Sequence, residues 1–230
     1  MRGDKVLLIT GASSGIGEAS ARAALGAGYR LSLAARGTEK LQALAAELGD
    51  ERVHVSGCDV TDYRAVEAAV EATLERFGRI DAVFANAGRG GEPGGFSAAP
   101  PESWRAILDV NVLGVAHTLR ASMDAIRASR GHFVLTGSVA GRRVLAGSMY
   151  AASKWAVTAI GYALREELKG SGVRVTLLEP GMVDTAFFDE PKPDALRADD
   201  VARCLMFALT QPANVDVHEL VVLPTPPGSA

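Results

Sequence analysis

The chain has 230 residues, of which 48% are apolar and 22% charged, and a net charge of −3. Those values fit one globular domain and exclude a disordered polar chain. With no cluster of Lys and Arg, the slightly acidic balance argues against a nucleic-acid or anionic-membrane surface.

The first apolar run, Val6-Leu7-Leu8-Ile9 within residues 5–9, is too short for a signal peptide or a membrane span, so a cytoplasmic location is expected. It reads as a strand and enters Thr10-Gly11-Ala12-Ser13-Ser14-Gly15-Ile16-Gly17, followed by a helix over about 15–27. Glycines between a strand and a helix let the backbone turn sharply and approach a pyrophosphate at the helix N-terminus; a tight turn without a ligand is the alternative. The spacing Gly-x-x-x-Gly-x-Gly differs from G-x-G-x-x-G and points to a particular branch of dinucleotide folds.

A second strand, 30–34, precedes Ala35-Arg36 and a helix over 38–48. Dinucleotide folds often carry a carboxylate at this strand end for the ribose 2′-hydroxyl, whereas an Arg accommodates a 2′-phosphate. Arg36 therefore favours NADP over NAD, unless it is a solvated loop arginine. After strand 53–57, Asp59-Val60 either holds the adenine edge or, through Asp59, caps the helix predicted over 62–77. Strand 82–85 ends in Asn86-Ala87-Gly88, where small residues leave room for adenosine and the Asn86 amide reads as a tie between strands.

The loop 88–100 leads to a helix over 101–128 containing Asn111 among apolar neighbours, where an unbonded amide is costly. Asn111 kinks the helix, bonds a backbone carbonyl, or holds a water leading to Lys154. Ser138 follows strand 131–136 and is either a turn cap or a group that orients a substrate carbonyl. No Gly-x-Ser-x-Gly elbow surrounds it, which removes a hydrolase reading. Helix 148–169 carries Tyr150 and Lys154, four positions apart and so on one face, where an ammonium would lower a phenol pKa from its usual ~10. Strand 173–178, a loop over 184–199 with Phe187-Phe188, helix 197–209 and strand 219–223 complete the series.

Strands alternating with helices imply βαβ units in a doubly wound sheet, with a ligand crevice beyond the strands' carboxyl ends. His54, His117, His132 and His218 lack ligand spacing and read as packing or surface residues, while Cys58 and Cys204 read as buried reduced thiols; no metal site is expected. Arg89, Arg142 and Arg143 lie near the expected mouth of the crevice. They either favour an anionic substrate or serve as solvated or subunit-contact residues.

Thr10–Gly17, Asp59, Asn86-Ala87-Gly88, Asn111, Ser138, Tyr150, Lys154 and Pro180-Gly181 together, in this order, resemble the short-chain dehydrogenase/reductase family over about 5–223. The resemblance implies a single-domain Rossmann-like α/β fold over 1–230, with seven mostly parallel strands flanked by helices and a short substrate lid at about 184–198. It further implies an NADP(H)-preferring oxidoreductase, with NAD(H) as the other possible cofactor, that interconverts a secondary alcohol and a ketone. Tyr150 would be the general acid/base, Lys154 would lower its pKa and hold the nicotinamide ribose, Ser138 would position the carbonyl and Asn111 would maintain a water relay. Ser13 and Arg36 match positions that take the 2′-phosphate, and Ser14 and Ile16 belong to the same turn. Val183 and Thr185, after Pro180-Gly181, would reach the carboxamide. Twelve positions separate Ser138 from Tyr150 where the family more often has thirteen, and Gly37 replaces a second Arg frequent in NADP-preferring members. The C-terminal segment also resembles bacterial 3-hydroxy acid dehydrogenases, implying a 3-hydroxy acid or other small carbonyl substrate. A homodimer or homotetramer is implied through the apolar segments 104–126 and 149–168, with no nucleic-acid or membrane partner. A dinucleotide-sensing regulator without turnover is the competing expectation.

Overall fold

The computed structural model describes residues 5–225. Seven strands form one sheet in the order β3-β2-β1-β4-β5-β6-β9. In chain order these are β1 (Val6–Thr10), β2 (Arg30–Ala35), β3 (Val53–Gly57), β4 (Ala82–Ala85), β5 (His132–Thr136), β6 (Arg174–Pro180) and, after a two-strand ribbon of β7 (Val183–Asp184) and β8 (Leu196–Arg197), β9 (Glu219–Val222). Every pairing in the sheet is parallel. The order reverses between β1 and β4, and the crevice opens at that switch point.

Near-continuous apolar strands such as Val6-Leu7-Leu8-Ile9 fit burial on both faces. Alternate side chains feed two cores. Leu7, Ile9, Leu31, Leu33 and Phe84 pack under α1 (Gly15–Gly26), α2 (Thr38–Leu48) and α8 (Ala198–Thr210). Leu8, Val83, Phe133 and Leu177 pack under α3 (Tyr63–Phe77), α6 (Gly114–Ser129) and α7 (Met149–Glu167). Gly161 lets α7 lie close to the sheet, since a Cβ there would stand 2.7 Å from Leu177.

The expected helix over 101–128 is divided. α5 (Pro101–Leu108) passes through a π-helical turn at Asp109–Leu113 into α6. The expected loop 88–100 contains the single turn α4 (Gly95–Ala98), and the expected loop 184–199 contains β7 and β8, which pair with each other. Asp62, not Asp59, caps α3 by accepting from the Arg64 amide at 2.9 Å. No helix among the described residues is long and apolar enough to cross a membrane.

Candidate active site

A cleft of about 1370 Å³ runs along the carboxyl ends of the strands. At its floor Gly11 (φ +65°) and Gly15 (φ +55°) adopt left-handed backbone between β1 and α1, a conformation strained for residues with a Cβ. Ser14 is the N-cap residue of α1 but makes no side-chain cap bond, so the first-turn N–H groups remain for an anion. Ser13, Ser14, Gly15 and Ile16 line the cleft. Gly17 lies behind this wall, buried, where a Cβ would stand 2.2 Å from the Gly11 carbonyl oxygen.

The Asn86 amide holds the floor together. Its Nδ2 donates to the carbonyls of Thr10 (3.1 Å) and Gly11 (3.3 Å), while its Oδ1 accepts from Thr136 Oγ1 (3.2 Å). One side chain thus ties β1, β4 and β5, as its strand-tying reading expected. Thr10 Oγ1 accepts in turn from the Asn86 and Ala87 amides.

At one end of the cleft stand Arg36, Lys40, Asp59 and Val60. Lys40, four positions beyond Arg36, carries no signal in the sequence that separates it from an ordinary solvated helix lysine. One turn into α2, it is a second cation on the same wall. Asp59 Oδ1 accepts from the amide and hydroxyl of Thr61, and these bonds, backbone first, with Arg36 nearby, hold its carboxyl below the ordinary range.

Tyr150 and Lys154 occupy the opposite wall on the first turns of α7, whose N-cap Ser148 accepts from the Ala151 amide. The Lys154 ammonium lies 5.8 Å from the Tyr150 ring centroid and donates to the Thr136 carbonyl at 2.8 Å. It is 5% exposed, and burial brings its pKa down to about 8. Burial also raises the Tyr150 phenol, against the opposing pull of a hydrogen bond with Ser138. This corrects the expectation of a lowered phenol pKa for the chain alone: desolvation of the ring outweighs the nearby cation, itself desolvated.

Ser138 takes the turn-cap role. Its Oγ accepts from the Ala140 amide (3.1 Å), capping the short 3₁₀ turn Val139–Gly141, and faces Tyr150 and the Pro180 carbonyl (3.4 Å). Asn111 does not reach the cleft. Fully buried in the π turn, it accepts from the Arg89 amide (2.8 Å) and donates to the Arg89 carbonyl (3.0 Å) and Ser153 Oγ (3.0 Å). Its backbone bonds go to a loop beside Gly88, where a Cβ would stand 3.4 Å from Asn111 Oδ1 and 3.8 Å from Lys154 Nζ, and the π turn interrupts the expected helix at this residue.

Pro180, Gly181, Val183 and Thr185 close the cleft from above, with Thr185 against Gly15. Phe187 follows, its ring edge-on to Tyr150 at 5.8 Å. No histidine lines the cleft; His132 and His218, for instance, bond within the sheet. Cys58 is buried at the cleft wall, with its thiol pushed up to about 11 by burial, whereas Cys204 is only half-buried. Arg142 is engaged away from the mouth, donating to Glu179 at 2.8 Å and pairing with Glu219 at 2.6 Å.

The short chain dehydrogenase family profile matches residues 5–195. An uncharacterized oxidoreductase of Staphylococcus aureus (strain MW2) is 36% identical over 226 residues, covering 96% of this chain and 97% of that protein. The alcohol dehydrogenase of the archaeon Thermococcus sibiricus, complexed with 5-hydroxy-NADP, superposes with a TM-score of 0.91 at 35% identity, over 98% and 99% of the two chains. The serine dehydrogenase of Escherichia coli superposes with a TM-score of 0.88 at 31% identity, over 95% and 97%.

Proposed function

The chain belongs to the short-chain dehydrogenase family and is an NAD(P)-dependent oxidoreductase, and from that premise we propose that it interconverts a secondary alcohol and a ketone with NADP(H), using Tyr150 as general acid/base. The observation that carries the reading is the convergence of Ser138, Tyr150 and Lys154 on one wall of a cleft whose other end is a glycine cradle beside two cations.

The residues present fit a dinucleotide. Gly11, Ser14, Gly15 and Ile16 would cradle the pyrophosphate against the N-terminus of α1. Asp59, Val60, Ala87 and Gly88 would flank the adenosine, with Asn86 and Gly17 keeping the floor in shape. Ser13 and Arg36 would take the 2′-phosphate, with Lys40 supplying a second positive charge; on this ground NADP(H) is preferred, and NAD(H) is the weaker alternative. Pro180, Gly181, Val183 and Thr185 would pack over the nicotinamide. When bound, the cofactor supplies or accepts the hydride.

The protein's own contribution is proton transfer and orientation. A phenol held above its usual pKa is protonated at neutral pH, the state needed to give a proton to a ketone oxygen. The Lys154 ammonium then faces the developing phenolate, and the Ser138 hydroxyl holds the same oxygen in place. Asn111 acts as a positioning residue, fixing the Arg89 backbone beside Lys154. Residues 184–198 serve as a lid, with Phe187 above Tyr150. We also propose a homodimer or homotetramer in the cytoplasm, because Leu113 (48% exposed) and Trp155 (48% exposed) leave apolar surface on the α5–α6 and α7 segments; light scattering tests the assembly.

Turnover on a carbonyl and alcohol panel tests the main reading. Tyr150→Phe is expected to lower kcat by at least about 10³-fold while NADPH binding, read by fluorescence, persists. NADPH binding by the wild-type protein without turnover on any member of the panel would favour a cofactor-sensing regulator instead.

A further inference from the structure

On the reading just given, the part of the cleft beyond Tyr150 receives the substrate, and we infer that this substrate is an uncharged carbonyl compound with an aromatic or alicyclic body, or the matching alcohol, in place of a 3-oxo or 3-hydroxy acid. The inference rests on that reading of the site.

The argument begins with the missing counter-charge. A carboxylate brought into a partly desolvated cleft needs a cation or several donors, or its burial costs several kcal/mol. The cations of this region are paired, hydrogen-bonded or outside the cleft lining, Lys192 among them, 5.8 Å from the Phe188 ring with Glu190 at 3.9 Å. Arg142 is held by Glu179 and Glu219 and does not line the cleft. Arg143 also lies outside the lining, with its backbone carbonyl accepting from Trp155 Nε1 at 3.4 Å. Lys154 donates to Thr136 beneath the phenol. Arg89 does line the cleft, but Glu92 lies 3.7 Å from its guanidinium. Two carboxylates, Glu92 and Asp189, face the same space and offset Arg89 and Lys154, so no net positive charge draws an anion in.

The walls supply the complementary half. Trp104, Ile107, Leu145, Met149, Phe187 and Phe188 line this part of the cleft. Phe187 stands edge-on to Tyr150 at 5.8 Å and to Phe188 at 5.3 Å, and is 44% exposed. A flat or ring-shaped apolar body brought up to the Tyr150 hydroxyl would cover this exposed aromatic surface, the usual origin of affinity in such clefts. Gly90 and Gly91 keep the near wall thin: a Cβ on Gly90 would stand 3.2 Å from the Phe187 ring, and one on Gly91 would stand 3.7 Å from Tyr150 Cβ. A ring-shaped apolar body covers these walls, whereas a small hydroxy acid leaves them wet.

The test uses matched ligands differing in charge and ring. Binding of 1-phenylethanol and of 3-hydroxybutyrate is measured calorimetrically on the protein with and without NADPH, where neither alcohol is turned over. Turnover is measured with acetophenone, ethyl acetoacetate and acetoacetate. The aryl alcohol is expected to bind at least about tenfold tighter than the acid, and acetoacetate to have the lowest kcat/KM of the three ketones. Phe187→Ala is expected to lower kcat/KM for acetophenone more than for ethyl acetoacetate. Glu92→Gln, which releases Arg89, is expected to raise kcat/KM for acetoacetate. Binding of the acid as tight as that of the aryl alcohol, or no binding of the aryl alcohol, overturns the inference. A preserved preference for the aryl ligand without any turnover overturns the oxidoreductase reading and leaves the binding preference standing.

Discussion

At Lys154 an ammonium with almost no access to water keeps a single carbonyl partner, and its pKa falls from 10.5 to about 8. Below about pH 8 it is charged in both the folded and unfolded chain, so the folded protein bears the full desolvation penalty. Between about 8 and 10.5 the folded form loses its proton first and the penalty fades as pH rises. Lys154→Met is accordingly expected to stabilise the cofactor-free protein at pH 7 by about 2 kcal/mol, after allowing for the lost bond to Thr136. Urea unfolding from pH 7 to 10 should show the gap between the two proteins closing. The same titration predicts that kcat/KM for ketone reduction falls as pH passes above about 8, as the cation beside the phenol is lost. The identity of this residue was legible from its spacing to Tyr150. Its effect on the phenol was not, because spacing gives proximity while burial sets the sign. Asp59 presents the opposite case: two readings stood equal in the sequence, and only the Asp62 cap on α3 removed the helix-capping one. Arg142 read as a mouth residue until its carboxylate partners, 37 and 77 positions away in the chain, came into view.

Among the elements, the β1–α1 turn carries a constraint that a motif alone does not express. Gly17 packs on backbone and on the Asn86 side chain: a Cβ would collide with the Gly11 carbonyl at 2.2 Å and the Asn86 side-chain amide at 2.9 Å. Gly17→Ala is expected to cost about 1–3 kcal/mol and to weaken NADPH binding through displacement of the cradle. Thermal unfolding and NADPH titration of the variant check both effects; unchanged affinity would mean that the turn absorbs the methyl elsewhere. Strands were readable as short, near-continuous apolar runs and long helices by apolar residues repeating every 3.6 positions. The π turn at Asp109–Leu113 was not, since widening one turn alters the repeat by less than the uncertainty of a boundary. The β7–β8 ribbon has two residues per strand, too few to display alternation, and its existence depends on Val183 meeting Leu196 across the lid.

For the whole molecule, the sheet separates the cleft from the chemistry that governs acid stability. His132, 2% exposed on β5, hydrogen-bonds Thr176 at 2.7 Å, and burial with Arg174 and Lys5 nearby brings its pKa down to about 3. The unfolded chain takes up this proton near ~6.5 and the folded chain only near 3, so stability falls as pH drops through that window, by up to about 5 kcal/mol from this residue. Denaturant midpoints at pH 7 and 4 should show a shallower acid loss in His132→Gln than in the wild type. The topology was legible because strand and helix signals alternate and parallel crossovers have one hand. That His132 would be buried inside β5 was invisible: a histidine in an apolar run looks alike whether its strand lies at an edge or at the centre.

The reciprocal bonds between Asn111 and the Arg89 backbone anchor the start of the segment that leads to α5. Upstream of that anchor lie Asn86, Ala87 and Gly88, which belong to the floor. Downstream, residues 90–99 meet the substrate end and contain the turn at Gly95–Ala98. The segment beyond residue 89 starts from this anchor and is confined at once, Gly90 by Phe187 and Gly91 by Tyr150. The cofactor floor and the substrate end thus meet at one residue, whose backbone N–H and C=O are both held by a single buried amide.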